Sequence, residues 1–222
     1  LNSRNRQVKE IIDSGKLGKI YFIHHNAVLR QSRPGIEYHP SAKWFLDKEI
    51  AGGGVLFDWG VYDLSFHLGL LNDAPQLIGF DLLFMENGLD QVDPGTPVFN
   101  TEEHFAVSMN FTGGLKYYWE RATNANMEEA NETRIYGTKG GIKLSFCTWD
   151  QPEFIEFFDV EDNGKGKARK KTIYVDLSKH EDNDALSKHF VNALLEKEPV
   201  AMPLSLAAKH LEIIYRIYER NE

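Results

Sequence analysis

The chain has 222 residues, 42% of them hydrophobic and 26% charged, with a formal net charge of −8. That length and balance suit one large soluble globular domain, and no apolar run approaches the roughly 20 residues that a membrane-spanning helix needs. The acidic balance also excludes the basic face expected of a nucleic-acid-binding protein.

The single cysteine, Cys147, excludes a disulfide framework and a cysteine-rich metal site, and it is expected as a small hydrophobe in a strand. The opening residues show neither a basic n-region nor an apolar h-region, so the cytoplasm is the expected location. The start at Leu1-Asn2-Ser3-Arg4 is expected to reflect processing or a boundary within a longer polypeptide.

A short helix comes first, with Val8, Ile11 and Ile12 on one face and Ser14-Gly15 as its stop. Gly18 leads into a strand from Ile20 to Leu29. Within it His24 and His25 point to opposite faces, which argues against a shared metal, and no H-E-x-x-H occurs elsewhere. From Gln31 to Ile50 no period holds, and a loop this long in a compact domain is expected to be functional.

Gly52-Gly53-Gly54 then introduces a helix from Val55 to Leu71. Phe57, Val61, Leu64, Leu68 and Leu71 recur at helical spacing and form its expected core stripe. Asp58 and Tyr62 lie about 40° apart around the axis, so the stripe would aim both into one cleft.

Beyond Pro75 the pattern changes to strands over Leu77 to Met85, His104 to Phe111, Leu115 to Arg121, Thr133 to Tyr136, Ile142 to Phe146, Phe154 to Val160 and Thr172 to Leu177. Tight turns such as Thr112-Gly113-Gly114 join several as hairpins and imply a mainly antiparallel sheet. The basic tract from Lys165 to Lys171 reads as a solvated hairpin tip.

Two helices close the chain. One runs from Asp182 to Glu196, with Leu186, Phe190, Ala193 and Leu194 inward. The other runs from Leu204 to Arg220, with Ala207, Ala208, Leu211, Ile214, Tyr215 and Tyr218 inward. The expected fold class is α+β: one large, mainly antiparallel sheet with its helices on one face. The other face, expected to be rich in Tyr, Trp and Phe, would need a cover, so a homo-oligomer through the open sheet face is expected.

Trp44 followed by Gly52-Gly53-Gly54, Asp58, Gly60 and a titratable group at Tyr62 resembles the C-terminal domain signature of the Gfo/Idh/MocA oxidoreductases. The stretch from Val8 to Ile20 resembles the helix and strand that follow that family's nucleotide domain. Asn131-Glu132-Thr133-Arg134-Ile135-Tyr136-Gly137-Thr138-Lys139-Gly140-Gly141 is similar to its strand-turn-strand element, and the last helix to its closing helix. The resemblance implies a fold like the C-terminal domain of glyceraldehyde-3-phosphate dehydrogenase. It also implies a substrate-binding and oligomerisation domain over residues 1–222, with NAD or NADP held mainly by an N-terminal Rossmann domain outside this chain.

Neither the G-x-G-x-x-G of such a domain nor the family's Glu-Lys-Pro lysine occurs here, so the chain is expected to be the C-terminal part of a longer oxidoreductase. Many relatives carry histidine where this chain has Tyr62. Tyrosine there resembles the branch of glucose-fructose oxidoreductase and the dimeric dihydrodiol dehydrogenases, which implies a phenol as acid/base. A phenol serves when a neighbouring cation lowers its pKa, and the family's lysine would be that cation.

Asp58 would orient the substrate hydroxyl or that lysine. Phe45 stands where many relatives have arginine, so no contact is carried over to it. Arg30, Arg33, Tyr38, His39, Trp44 and Trp59 are candidate contacts to a sugar or polyol. The leading expectation is an NAD(P)-dependent sugar or polyol dehydrogenase or reductase. An NAD-dependent glycosidase of the same fold and a non-catalytic dimerising or ligand-binding module are the alternatives.

Overall fold

A computed structural model of the chain describes residues 3–71, 74–86, 93–145, 154–161, 164–175 and 182–221. Cys147, Phe146 and Leu177, each placed in or at the end of a strand from sequence, lie outside the described residues. In chain order the elements are α1 (Ser3–Asp13), β1 (Ile20–Val28), a 3-10 turn (Lys43–Leu46), α2 (Lys48–Ala51), α3 (Val55–His67), β2 (Leu77–Glu86), β3 (Glu102–Phe111), β4 (Lys116–Ala122), β5 (Ala130–Gly137), β6 (Gly140–Leu144), β7 (Phe154–Val160), β8 (Ala168–Tyr174), α4 (Asp182–Leu194) and α5 (Leu204–Asn221).

The strands form one sheet in the order β2-β3-β4-β1-β5-β6-β7-β8. Every neighbouring pair is antiparallel except β4 and β1, which run parallel with His25 opposite Trp119 and Ala27 opposite Arg121. Period-2 alternation sends Phe105, Val107, Met109, Tyr117, Trp119 and Ile23 to the helix-covered face. Over that half lie α3 and α5, sharing one core with β2, β3, β4 and β1. Over the other half, Val8 of α1 packs with Phe66 and Leu70 at the end of α3 and with Ile135, Ile142 and Ile155. The α+β architecture with helices on one face is as the sequence implied.

The core stripe of α3 differs from the expected one. Leu64 and Leu68 are buried, but so are Leu56, Gly60, Asp63 and His67, while Phe57 and Val61 are only partly covered. The cause is that α3 is clamped from two sides. A Cβ on Gly60 would stand 3.0 Å from the Trp119 ring of the sheet and 3.1 Å from Ile214 of α5, so both neighbours approach where a side chain would be. A single-stripe reading assumes one covered face.

The final helices also depart from expectation. Leu186, Phe190 and Leu194 of α4 are exposed, Phe190 by 62%, because α4 packs extensively on no other element among the described residues. In α5 the buried stripe is His210, Ile213, Ile214, Ile217 and Tyr218, with Ala208 and Tyr215 outside it.

The open sheet face keeps an aromatic strip over its inner strands, where Phe22 stacks on His24 and Tyr136 and His24 meets Tyr118, although Trp119, Tyr117 and Phe105 point to the helix side. It carries a ladder in which Lys170 Nζ is 2.6 Å from Glu156, Lys143 Nζ is 2.6 Å from Glu132, and Glu132 also pairs with Arg134. The basic tract belongs mostly to a strand: Arg169 makes a two-point pair with Asp159 at 2.8 and 2.9 Å. Acidic residues on β7 draw it into the ladder, and its charges guard a sheet edge against further pairing.

Candidate active site

Gly52, at φ 81°, ends α2 in the left-handed region. Gly53 and Gly54 are required by close approach: a Cβ on Gly53 would stand 2.1 Å from the Tyr218 hydroxyl, and one on Gly54 2.2 Å from the Glu102 carbonyl oxygen. The Glu102 carboxylate sits on the first turn of α3, accepting the Gly54 N–H at 2.8 Å, the Leu56 N–H at 2.9 Å and the Tyr218 O–H at 2.7 Å. A buried anion there satisfies the orphan donors and the helix dipole together. Burial pushes its carboxyl pKa up, against the pull of those three hydrogen bonds.

With this turn fixed, Asp58 projects into a small pocket lined by Arg33, Phe45, Leu46, Thr101, Glu103 and Thr123, among others. Burial raises the Asp58 carboxyl above its ordinary value, and the Arg121 guanidinium pulls it back. Tyr62 follows one turn on but is 59% exposed and lies outside the lining of that pocket. Its ring rests 5.8 Å from Trp59. The two candidate catalytic groups therefore share a flank of α3, Asp58 at the pocket and Tyr62 on the open surface beside it.

The candidate ligand-binding residues separate in the same way. Arg33 is 1% exposed, and its guanidinium is held by Glu37 and by Glu103 Oε1 at 3.2 Å. Those partners raise its pKa, the Glu37 hydrogen bond first. Arg30 reaches from the end of β1 to the Asn124 side-chain oxygen. Tyr38 and His39 are exposed on the loop with their rings 4.2 Å apart, and Trp44, 50% exposed, stacks on Phe45 at 3.9 Å. Trp59 is half-buried, with one face covered by Arg121 at 4.4 Å.

Beneath these residues lies a polar network that the sequence reading missed. Asp63 is fully buried and accepts from Arg121 Nε at 2.6 Å, from a terminal Arg121 nitrogen at 2.9 Å and from the Trp119 indole at 2.8 Å. His25 Nε2 lies 3.6 Å from Asp63, and its Nδ1 is 2.9 Å from the Thr133 hydroxyl. That hydroxyl is 3.0 Å from His67 Nε2, whose Nδ1 is 2.6 Å from the Tyr117 hydroxyl.

Hydrogen-bond accounting allows a continuous direction along this chain, although at 3.6 Å His25 Nε2 faces Asp63 from beyond hydrogen-bond reach. With its proton on Nε2 toward Asp63, His25 accepts at Nδ1 from Thr133. Thr133 accepts from His67, and His67 accepts from Tyr117. Both imidazoles are then neutral, in keeping with pKa values held well below the ordinary one, for both chiefly by burial. The signal available in sequence was the spacing Leu56, Gly60, Asp63, His67, as regular as the apolar stripe beside it. Among the described residues, no group of three or more His, Cys, Asp or Glu is arranged to hold a metal.

A dinucleotide does not fit this glycine turn as a phosphate cradle. Glu102 already occupies the N–H groups and would repel a phosphate.

The model of the GFO/IDH/MocA C-terminal domain matches residues 5–143. The chain belongs to this family. It is 24% identical over 200 residues to a D-xylose 1-dehydrogenase [NADP(+)] of Haloarcula marismortui, a match covering 88% of this chain and 49% of that protein. Among solved structures it resembles an aldose-aldose oxidoreductase from Caulobacter crescentus complexed with glycerol, with TM-score 0.70 and 20% identity over 100% of this chain and 60% of the other. A levoglucosan dehydrogenase in complex with NADH and levoglucosan gives TM-score 0.72 and 18% identity, over 96% and 59%. The chain thus spans about half the length of the curated relative, and the matched region 5–143 contains both Asp58 and Tyr62.

Proposed function

We propose that this chain is the substrate-side domain of an NAD(P)-dependent oxidoreductase acting on a sugar, polyol or related carbonyl compound, with the nucleotide held mainly by a domain that precedes it. The observation that carries this reading is Asp58 in the wall of a pocket at the first turn of α3, with Tyr62 one turn on. The relatives support the substrate class: one is a D-xylose dehydrogenase, another was solved with levoglucosan and NADH.

Oxidation of a carbinol carbon sends a hydride to the nicotinamide and requires a proton to leave the oxygen. Tyr62, exposed toward the face where substrate would lie, is the proposed acid/base, as in the tyrosine-bearing branch of the family. Asp58 orients the hydroxyl as an acceptor from the pocket wall. Trp44, Tyr38 and His39, exposed on the loop, supply contacts to the sugar ring and its hydroxyls. Arg33, already paired with Glu37 and Glu103, shapes the wall, and Arg30 stands at the loop's base.

We also propose that the protein is a homo-oligomer through the open sheet face and works in the cytoplasm. Exposed Ile78, Leu83 and Met85 on β2 and Phe154 and Tyr174 at the other side of the sheet, with the rings of Phe22, His24, Tyr118 and Tyr136 between them, give that face apolar surface beside its charged ladder. No helix among the described residues is long and apolar enough to cross a membrane. Light scattering on the purified protein tests the oligomer; a monomer at tens of micromolar overturns it.

The test of function is turnover by the full-length protein of D-xylose, levoglucosan, D-glucose and sorbitol with NAD⁺ or NADP⁺, followed by nicotinamide absorbance. Reduction of the nucleotide by at least one of them is expected. No turnover with any, in either direction, overturns the reading.

A further inference from the structure

Arg121 stands behind both residues proposed to act on substrate. It projects from β4 toward α3, is 5% exposed, and is held flat by its two-point contact with Asp63. Trp119 donates to the same carboxylate and His25 and His67 surround it, so the guanidinium has one available orientation.

Its free face lies against the Trp59 indole, and that indole is the ring on which Tyr62 rests, at an interplanar angle of 58°. A planar guanidinium favours such stacking where an ammonium does not. A buried ion pair is a weak source of stability in itself, since apolar residues of similar volume often replace it without loss. Its position directly under the α3 flank therefore calls for another account.

We infer that Arg121 is a positioning residue for the site: clamped by Asp63, it fixes the Trp59 indole and, through it, the Tyr62 phenol. The inference rests on the reading of Tyr62 proposed above. The same guanidinium also acts on Asp58, opposing the effect of burial on its carboxyl. Around Asp58 the other charged groups are Arg33 from the loop and Glu102 and Glu103 from β3, which share its pocket. Arg33 is paired with Glu37 and Glu103 as Arg121 is with Asp63, and of the two it is Arg121 whose charge lowers the Asp58 carboxyl.

Two variants test this in the full-length protein, Arg121→Lys and Trp59→Leu, the second kept because it leaves the buried Asp63 pair intact should the first fail to fold. The first readout needs no turnover. With ring-labelled tyrosine, the Tyr62 resonance, assigned by its loss in Tyr62→Phe, is expected to shift in both variants toward that of a free tyrosine; an unchanged resonance in Trp59→Leu overturns the inference whatever the activity.

The second readout is kinetic, with whichever of D-xylose, levoglucosan, D-glucose or sorbitol the wild type oxidises. Arg121→Lys is expected to lower kcat about tenfold or more with KM within about twofold, as for groups that act in the transition state. Its effect and that of Trp59→Leu should be non-additive in the double variant, as for residues in one contact chain. Additive effects, or a lowered melting temperature with kcat unchanged, would assign Arg121 to structure alone. Failure of the wild type to turn over any sugar sinks the functional reading, while the resonance of Tyr62 still decides the positional one.

Discussion

Glu102 and Tyr218 are 116 positions apart in sequence, and their side-chain oxygens meet at 2.7 Å. The contact fastens the last helix to the first turn of the helix that carries Asp58. Removing it by Tyr218→Phe takes one of three donors from a buried carboxylate, an effect of roughly 1.5–3 kcal/mol for a bond to a charged group. Urea unfolding should show a lower midpoint with unchanged slope. Equal midpoints would mean that Glu102 is satisfied without Tyr218.

Gly54→Ala should be more disruptive than its size suggests, because the new Cβ meets a backbone carbonyl that cannot rotate away. A loss of about 2–4 kcal/mol is expected, in the range of overpacked sites. Gly79→Ala is the control, since nothing lies within 4 Å of its Cβ position and it should be neutral or slightly stabilising. If the two variants unfold together, the close approach at Gly54 has no energetic weight.

Stability should fall with acidity in a defined window. His25 and His67 have folded-state pKa values well below the ordinary 6.5, so between those values the unfolded chain binds protons that the folded chain excludes. Stability is then complete above about pH 6.5 and is lost as pH falls below it, with a slope of up to about 1.4 kcal/mol per pH unit for each histidine. Melting temperatures from pH 7.5 to 5 measure this. A His67→Gln variant should begin lower and show a shallower slope, and a slope equal to that of the wild type would remove His67 from the account.

If the full-length protein has the proposed activity, Tyr62→Phe should lower kcat by roughly 10²–10⁴-fold, the range for loss of a general acid or base, with little change in KM. A change confined to KM would make Tyr62 a binding residue. Burial raises the Asp58 carboxyl, so kcat/KM should fall on the acid side at a pH above the ordinary carboxylate range near 3.9. Asp58→Asn should abolish that limb while lowering the plateau.

Sequence periodicity carried the sheet well, because alternation such as Phe105, Val107, Met109 and Phe111 depends only on one face being covered. It also placed Asp58 and Tyr62 on one helix. It could not say that α3 is covered from two sides, since Trp119 and Ile214 arrive from residues far along the chain. That hid Asp63 and His67, whose polar side chains are buried only because Arg121, Thr133 and Tyr117 come to meet them. The same limit put Leu186, Phe190 and Leu194 inside: a helical period reveals an apolar face of α4 but not what lies opposite. Likewise the three glycines read as an opening to the helix, whereas Gly52 ends α2 at positive φ and Gly53 and Gly54 answer the close approach of Tyr218 and Glu102.

The parallel pairing of β1 with β4 also bears on how the molecule assembles. Everything from Leu29 to Leu115, including Arg33, Trp44, Asp58 and Tyr62, is a loop whose two ends are joined by that ladder. Closing so long a loop is entropically expensive and raises the contact order. Asp58 comes from inside the loop and Arg121 from its closing seam. Opening the β1–β4 seam would therefore loosen Arg121 and, with it, the Trp59 indole that it covers.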